Sequence, residues 1–179
     1  MSLRDITKDL HTAAEQTAFA KLLLSGTIGQ KDYATYLYNM FPIYTSIEIP
    51  CFRQGFFNTL PGVARTDGIQ QDLMELMGED DHFLMPSTID YVTYLMKLTN
   101  DPARRHLIKA HLYVRHMGDL FGGQFIASKV PGQGKFYQFA DVEALKTAIR
   151  ELLTDDLGDE ACVAFEWSIK IMKELGGEA

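Results

Sequence analysis

Cysteine is scarce in this 179-residue chain: Cys51 and Cys162 are the only two, and they form no CxxC pair. That excludes a zinc knuckle and a thioether-linked cofactor. Two buried free thiols in a reducing cytosol are the expectation, with a disulfide between them left open. Basic residues are too few to suit a nucleic-acid partner: 17 Lys and Arg stand against 24 Asp and Glu, a net charge of −7. Long apolar runs are missing too, so no segment reads as a membrane span, and the opening Met1-Ser-Leu-Arg-Asp5 does not read as a signal peptide. A cytoplasmic location follows as an expectation. There is no internal repeat, low-complexity tract or linker, and no nicotinamide or flavin fingerprint. The length suits one domain, 1–179, with a core of its own.

What is present is helical periodicity, with no convincing period-two alternation. Ser2 and Asp5 have capping-box spacing and open a first helix carrying Leu3, Ile6 and Leu10, closed at Gly26. A second helix runs from Thr27 through Tyr33, Leu37, Met40, Phe41, Tyr44 and Ile47, kinked by Pro42 and ended by Pro50. A turn around Phe56 and Pro61 and a short helix entered at Asp67-Gly68 follow; residues 78–81 are a polar break. Ser87 or Thr88 caps the next helix, and Asp101-Pro102 opens a long one reaching about Lys129. Residues 131–134 read as a loop and 135–139 as an extended connector. Asp141 caps a helix through Leu153, and a last helix runs from about Asp159 to Gly176. The expected fold is all-α, with roughly seven to nine helices.

Tyr113-Val-Arg-His-Met-Gly-Asp-Leu-Phe-Gly-Gly-Gln124 is the segment around which the rest is arranged. Gly118, Gly122 and Gly123 each cost about 1 kcal/mol relative to alanine inside a helix. Either the helix ends near Gly118 and restarts, or it bends and brings its backbone close to a flat ligand beside Asp119. Leu120, Phe121, Phe125 and Ile126 continue the apolar pattern and favour the bent helix. The histidines do not assemble an ion site by spacing. His106, His111 and His116 are five residues apart, about 140° each round a helix, and His106 and His111 read as surface or core-edge residues. Glu79 and His82 form an ExxH triplet of the di-iron type without a second triplet to complete it. His11 differs. It lies beside Ala13 and Ala14, which would admit a flat ring, and one turn before Glu15, which can fix its tautomer.

Together, Leu10-His-Thr-Ala-Ala-Glu-Gln-Thr-Ala-Phe19 and the Tyr113–Gln124 motif resemble the haem oxygenase family, over about Arg4 to Leu175. The resemblance implies an all-α fold that sandwiches haem between a proximal and a distal helix. It implies His11 as the iron ligand, with Glu15 as its hydrogen-bond partner. Gly118, Gly122 and Gly123 would press the distal backbone onto the haem, Gly118 also steering the reaction, and Asp119 would organise proton delivery through water. Arg4, Tyr113, Lys146 and Arg150 match the family's propionate contacts, and Phe165 is placed in the haem pocket. The implied activity cleaves haem b, both substrate and cofactor, with O2 and an external electron donor such as ferredoxin. The products are biliverdin (opened at the α-meso edge), CO and iron. Phe121 departs from the serine common in the family, and His116 from tyrosine; no membrane anchor of the animal type is read in the chain. Two other classes compete: a haem carrier or sensor without turnover, which would not require Asp119, and a non-haem di-iron enzyme.

Overall fold

Where one N-terminal helix was expected, the computed structural model, which describes residues 3–78 and 82–178, has three. The proposed cap at Ser2 lies outside the described residues. Helix α1 (Leu3–Ile6) closes at Thr7, whose hydroxyl folds back to donate to the Leu3 carbonyl at 2.8 Å. Helix α2 (Lys8–Glu15) ends because Thr17 is extended and its hydroxyl accepts from the Ala20 N–H, capping α3 (Ala18–Ser25). Gly26 closes α3 in the left-handed conformation, φ 76°, that a glycine adopts without strain. The break matters for function: α3 buries Phe19 and Leu23, whereas α2, carrying His11, buries no residue fully.

Helix α4 (Gln30–Arg53) is the axis of the molecule, burying Tyr33, Leu37, Met40, Tyr44 and Ile47 along one stripe. Pro50 does not end it. A proline in the last turn removes a single backbone donor, and the helix continues to Arg53. It also runs uninterrupted across Pro42, whose carbonyl accepts from Ser46 Oγ at 2.7 Å.

Caps supplied from distant elements set several boundaries. Helix α5 (Thr66–Leu76) starts on the Glu48 carboxylate, which accepts from the Arg65 and Thr66 N–H groups. Gly68 lets this helix approach a loop closely: a Cβ there would stand 2.7 Å from the Lys135 carbonyl oxygen. Helix α6 (Pro86–Asn100) begins with proline, and its cap is neither Ser87 nor Thr88 but Glu174, accepting from the Ser87 N–H at 3.0 Å.

The long helix starts later than Asp101-Pro102. Asp101 accepts from the Ala103 N–H and caps a turn, a 3-10 segment follows at Arg105–Leu107, and α7 spans Ile108–Ile126. Residues 135–139 are not extended: Lys135–Tyr137 form a 3-10 turn that buries Phe136 and Tyr137, with Asp72 accepting from the Lys135 and Phe136 N–H groups at 2.8 Å. Helix α8 (Val142–Glu151) is capped by Asp141, as expected, and α9 (Gly158–Leu175) closes the chain. The described residues thus hold nine α-helices and no strand. Cys51 is buried and Cys162 only half-buried; both are free thiols.

Helices α5, α6 and α7 pack on α4, while α2, α3, α6 and α7 pack on α9. A main core surrounds α4. A second, smaller core joins Ala110 and Val114 of α7 and Ala161, Ala164 and Phe165 of α9 to Leu10 and Ala14 of α2.

Candidate active site

The small core sets the space between α2 and α7, the candidate cleft. Helices α2 and α7 lean on α9 rather than on each other. Ala110 and Val114 cover the inner face of α7 for its first turns. One turn further on that face comes Gly118, where an added Cβ would meet nothing within 4 Å. A Cβ at Gly122 would meet only Ile126 Cδ1 of its own helix, 3.8 Å away. Bare backbone therefore lines the cleft at Gly118 and Gly122. Gly123 does not belong with them. It is buried, 100° further round the helix, and its Cβ would lie 2.7 Å from Tyr137 Cδ1, so the close approach it permits is to an aromatic ring of the core.

His11 faces this region from α2, with its side chain 57% exposed and the Phe165 ring edge-on at 5.9 Å between centroids. Its Nδ1 stands 3.7 Å from Glu15 Oε1. That is an ion-pair distance, too long for the hydrogen bond expected between them. The pair is near enough to orient the ring and loose enough to tighten.

Asp119 sits behind the bare strip, not on it. Its carboxylate is buried, turned to α4, and accepts from the Tyr44 hydroxyl at 2.6 Å. Burial pushes the acid up from 3.8 to about 6, against the opposing pull of His116, the Tyr44 hydrogen bond, Arg115 and Arg65. Arg115 is also buried. Its Nη1 reaches Met40 Sδ at 3.9 Å, and its Nε and Nη2 form no well-aligned hydrogen bond, although the Tyr91 phenol bears on the guanidinium. Donors of that kind are normally met by water or a ligand. Bare backbone backed by a poised acid and unmet guanidinium donors fits a flat ligand with a polar reaction on its near face.

Three of the four expected anion-binding residues come together. The charges of Arg150 and Arg4 both bear on the Tyr113 hydroxyl, partly offsetting the rise that burial causes in its pKa. Arg4 and Arg150 are exposed. Lys146 donates from Nζ to Glu143 Oε1 at 2.9 Å and lies 4.0 Å from the centre of the Phe121 ring, over which the Arg150 guanidinium also stands at 6.0 Å. Phe121, 59% exposed, is a shelf for this ammonium and does not crowd the glycine strip.

Several residues around Asp119 were not assigned roles from sequence. Tyr44 reads only as one member of an apolar stripe, and its hydroxyl meets an acid 75 residues away. His111 is fully buried, not a surface or core-edge residue, with Tyr91 Oη at 2.7 Å and Glu160 Oε1 at 2.9 Å. His106 is at the surface beside Asp156, as read. Glu79 of the ExxH triplet lies outside the described residues. Among the described residues no three His, Cys, Asp or Glu side chains gather as a metal site.

The family model described as "Heme oxygenase" matches residues 1–172. The chain belongs to the haem oxygenase family. Among curated relatives it is 30% identical to heme oxygenase 1 of Nostoc sp., covering 98% of this chain and 84% of that protein. Heme oxygenase 2 of Synechocystis sp. is also 30% identical, over 97% of this chain and 81% of the other. The solved structure of Synechocystis heme oxygenase-1 in complex with heme superposes with a TM-score of 0.83 at 26% identity, covering 98% of this chain and 90% of that one. Heme oxygenase from Leptospira interrogans gives 0.80 at 28% identity, over 97% and 100%. As a haem oxygenase family member, the chain has the all-α fold expected of it.

Proposed function

We propose that this chain binds haem b between α2 and α7 and opens it to biliverdin, releasing CO and iron. The observation that carries this reading is the bare backbone at Gly118 and Gly122 with the Tyr44-bonded acid Asp119 directly behind it. Haem would be both the substrate and the iron centre at which O2 is activated. His11 would hold the iron through its exposed imidazole, with Glu15 steadying the ring. Phe165 packs edge-on to that ring and limits its swing. Arg4, Tyr113 and Arg150 would receive the propionates, anions that suit guanidinium and phenol donors. Gly118 and Gly122 leave room for the macrocycle and bias opening toward its α-meso edge.

Asp119 has the attributes of a proton donor working near neutrality: a carboxyl raised to about 6, held in place by one phenol and excluded from bulk water. Arg115, with two unmet donors, would fix water between the acid and the cleft. A haem carrier would gain nothing from a buried acid whose ionised form is costly. Electrons would come from a separate protein of the ferredoxin class. We further infer that residues 1–179 act as one cytoplasmic domain; no described helix is long and apolar enough to cross a membrane.

Titration of the protein with haemin tests the binding half of this reading. The wild type is expected to give a one-to-one complex with an imidazole-ligated spectrum, and His11→Ala to lose that spectrum until imidazole is added. An unchanged spectrum in the variant would place the ligand on another histidine.

A further inference from the structure

His116, one turn before Asp119 on α7, is fully buried and takes no part in the cleft. Both of its ring nitrogens lie beside oxygen atoms that accept. Nδ1 lies 3.2 Å from the Leu112 carbonyl oxygen, which can only accept. Nε2 lies 3.0 Å from Glu48 Oε1. The Glu48 carboxylate also accepts from the Arg65 N–H at 2.6 Å, from the Thr66 N–H at 3.2 Å and from the Thr66 hydroxyl. Burial works against that carboxylate's ionisation, but the His116 hydrogen bond and charge, followed by the Thr66 and Arg65 donors, more than offset it and lower its pKa. A ring donating from both nitrogens is an imidazolium. Glu48 and His116 are therefore a buried ion pair, and the cation is the member on the helix of Asp119.

The pair is close enough to act on the acid. The His116 and Tyr44 rings are 5.3 Å apart, and the Tyr44 hydroxyl is the one bonded to Asp119. Glu48 also lines a surface cavity of about 360 Å³, together with Thr45, Ile49, Phe52, Arg53 and Thr66.

We propose that the Glu48–His116 ion pair is the positioning device that sets the proton affinity of Asp119, acting through space. His116 supplies positive charge next to a carboxyl that burial would otherwise keep protonated. Glu48 holds that charge in place through its 3.0 Å contact with Nε2. The other groups facing Asp119 are Tyr44, Tyr36 and Tyr33 of α4, Arg65 ahead of α5, Arg115 of α7 and Tyr137 of the 3-10 turn. Of these only Arg65 and Arg115 are cations. Arg65 is anchored on carbonyls of Gly62, Val63, Phe136 and Gln138. Neither guanidinium changes charge in the accessible pH range. This inference rests on the reading of Asp119 as the working acid, and the test below separates the two.

The experiment is a carboxyl titration of the haem-free protein labelled with 13C at aspartate carboxyls, the Asp119 signal being assigned by its loss in Asp119→Asn. The wild-type midpoint is expected near 6. His116→Gln keeps a donor to Glu48 but removes the charge, and should move the midpoint up by a unit or more, tenfold or more in proton affinity. The double variant His116→Gln, Glu48→Gln removes both buried charges together and should shift Asp119 in the same direction, which keeps the test decisive if the single variant does not fold. An unmoved midpoint in a folded variant would overturn the inference. Biliverdin formation by the wild type, measured separately, decides whether Asp119 is the working acid at all.

Discussion

Asp119 couples the stability of the fold to pH. Its carboxyl titrates at about 6 in the fold against an ordinary 3.8, so between those values the folded state binds the proton more tightly than the unfolded chain. Stability from this group therefore falls as pH rises through that window, and the penalty is complete above about pH 6, on the order of 2–3 kcal/mol. Asparagine keeps an acceptor for the Tyr44 hydroxyl and carries no charge. Asp119→Asn should melt higher than wild type at pH 8, with the gap closing toward pH 5, while single-turnover biliverdin yield drops by about 10²–10⁴-fold. A gap that does not vary with pH, measured by calorimetry, would contradict this. At this scale the sequence shows Asp119 and its glycines plainly, because they are contiguous. Tyr44, Arg115 and the Glu48 partner of His116 are not legible there, since each acquires its role from a residue brought in by the fold.

Among the elements, α7 carries two kinds of glycine, and they should respond differently to one methyl group. Gly118→Ala adds a Cβ into open space, so the haem-free protein should lose nothing and gain up to about 1 kcal/mol of helix propensity, while haem affinity weakens. Gly123→Ala drives a Cβ into Tyr137, a buried ring, and should lower stability by about 1–3 kcal/mol with haem affinity of the folded protein unchanged. Thermal melts and haemin titrations of both variants check this. Equal losses of affinity would mean that both glycines face the haem. Helix identity was legible from periodicity for the long helices, but not for the 3-10 turn at Lys135–Tyr137, which was read as extended. Boundaries were legible where the cap is local, as at Asp141 and Gly26, and not where it is remote, as for Glu174 on α6 or Glu48 on α5. Thr17, which divides the N-terminal helix so that α2 can sit apart with His11, is local; the periodic apolar stripe across it conceals the break.

At the scale of the molecule, the proposed site lies at the small core where α2, α7 and α9 meet, and its proposed anion-binding rim would draw on three separate helices. Arg4 comes from α1, Tyr113 from α7 and Arg150 from α8. Lys146 shares a helical face with Arg150 but is tied to Glu143. Neutralising Arg150 with glutamine should therefore alter the ratio of biliverdin isomers more than Lys146→Gln does, as chromatography of the extracted product would show; the reverse order would make the Lys146 ammonium the main anchor. The account stands most directly on one reaction. The haem complex supplied with O2, ferredoxin and its reductase should lose its Soret band while biliverdin and CO appear, one of each for every haem consumed. A complex that is reduced and binds O2 yet retains its haem, or bleaches without biliverdin and CO, would contradict it.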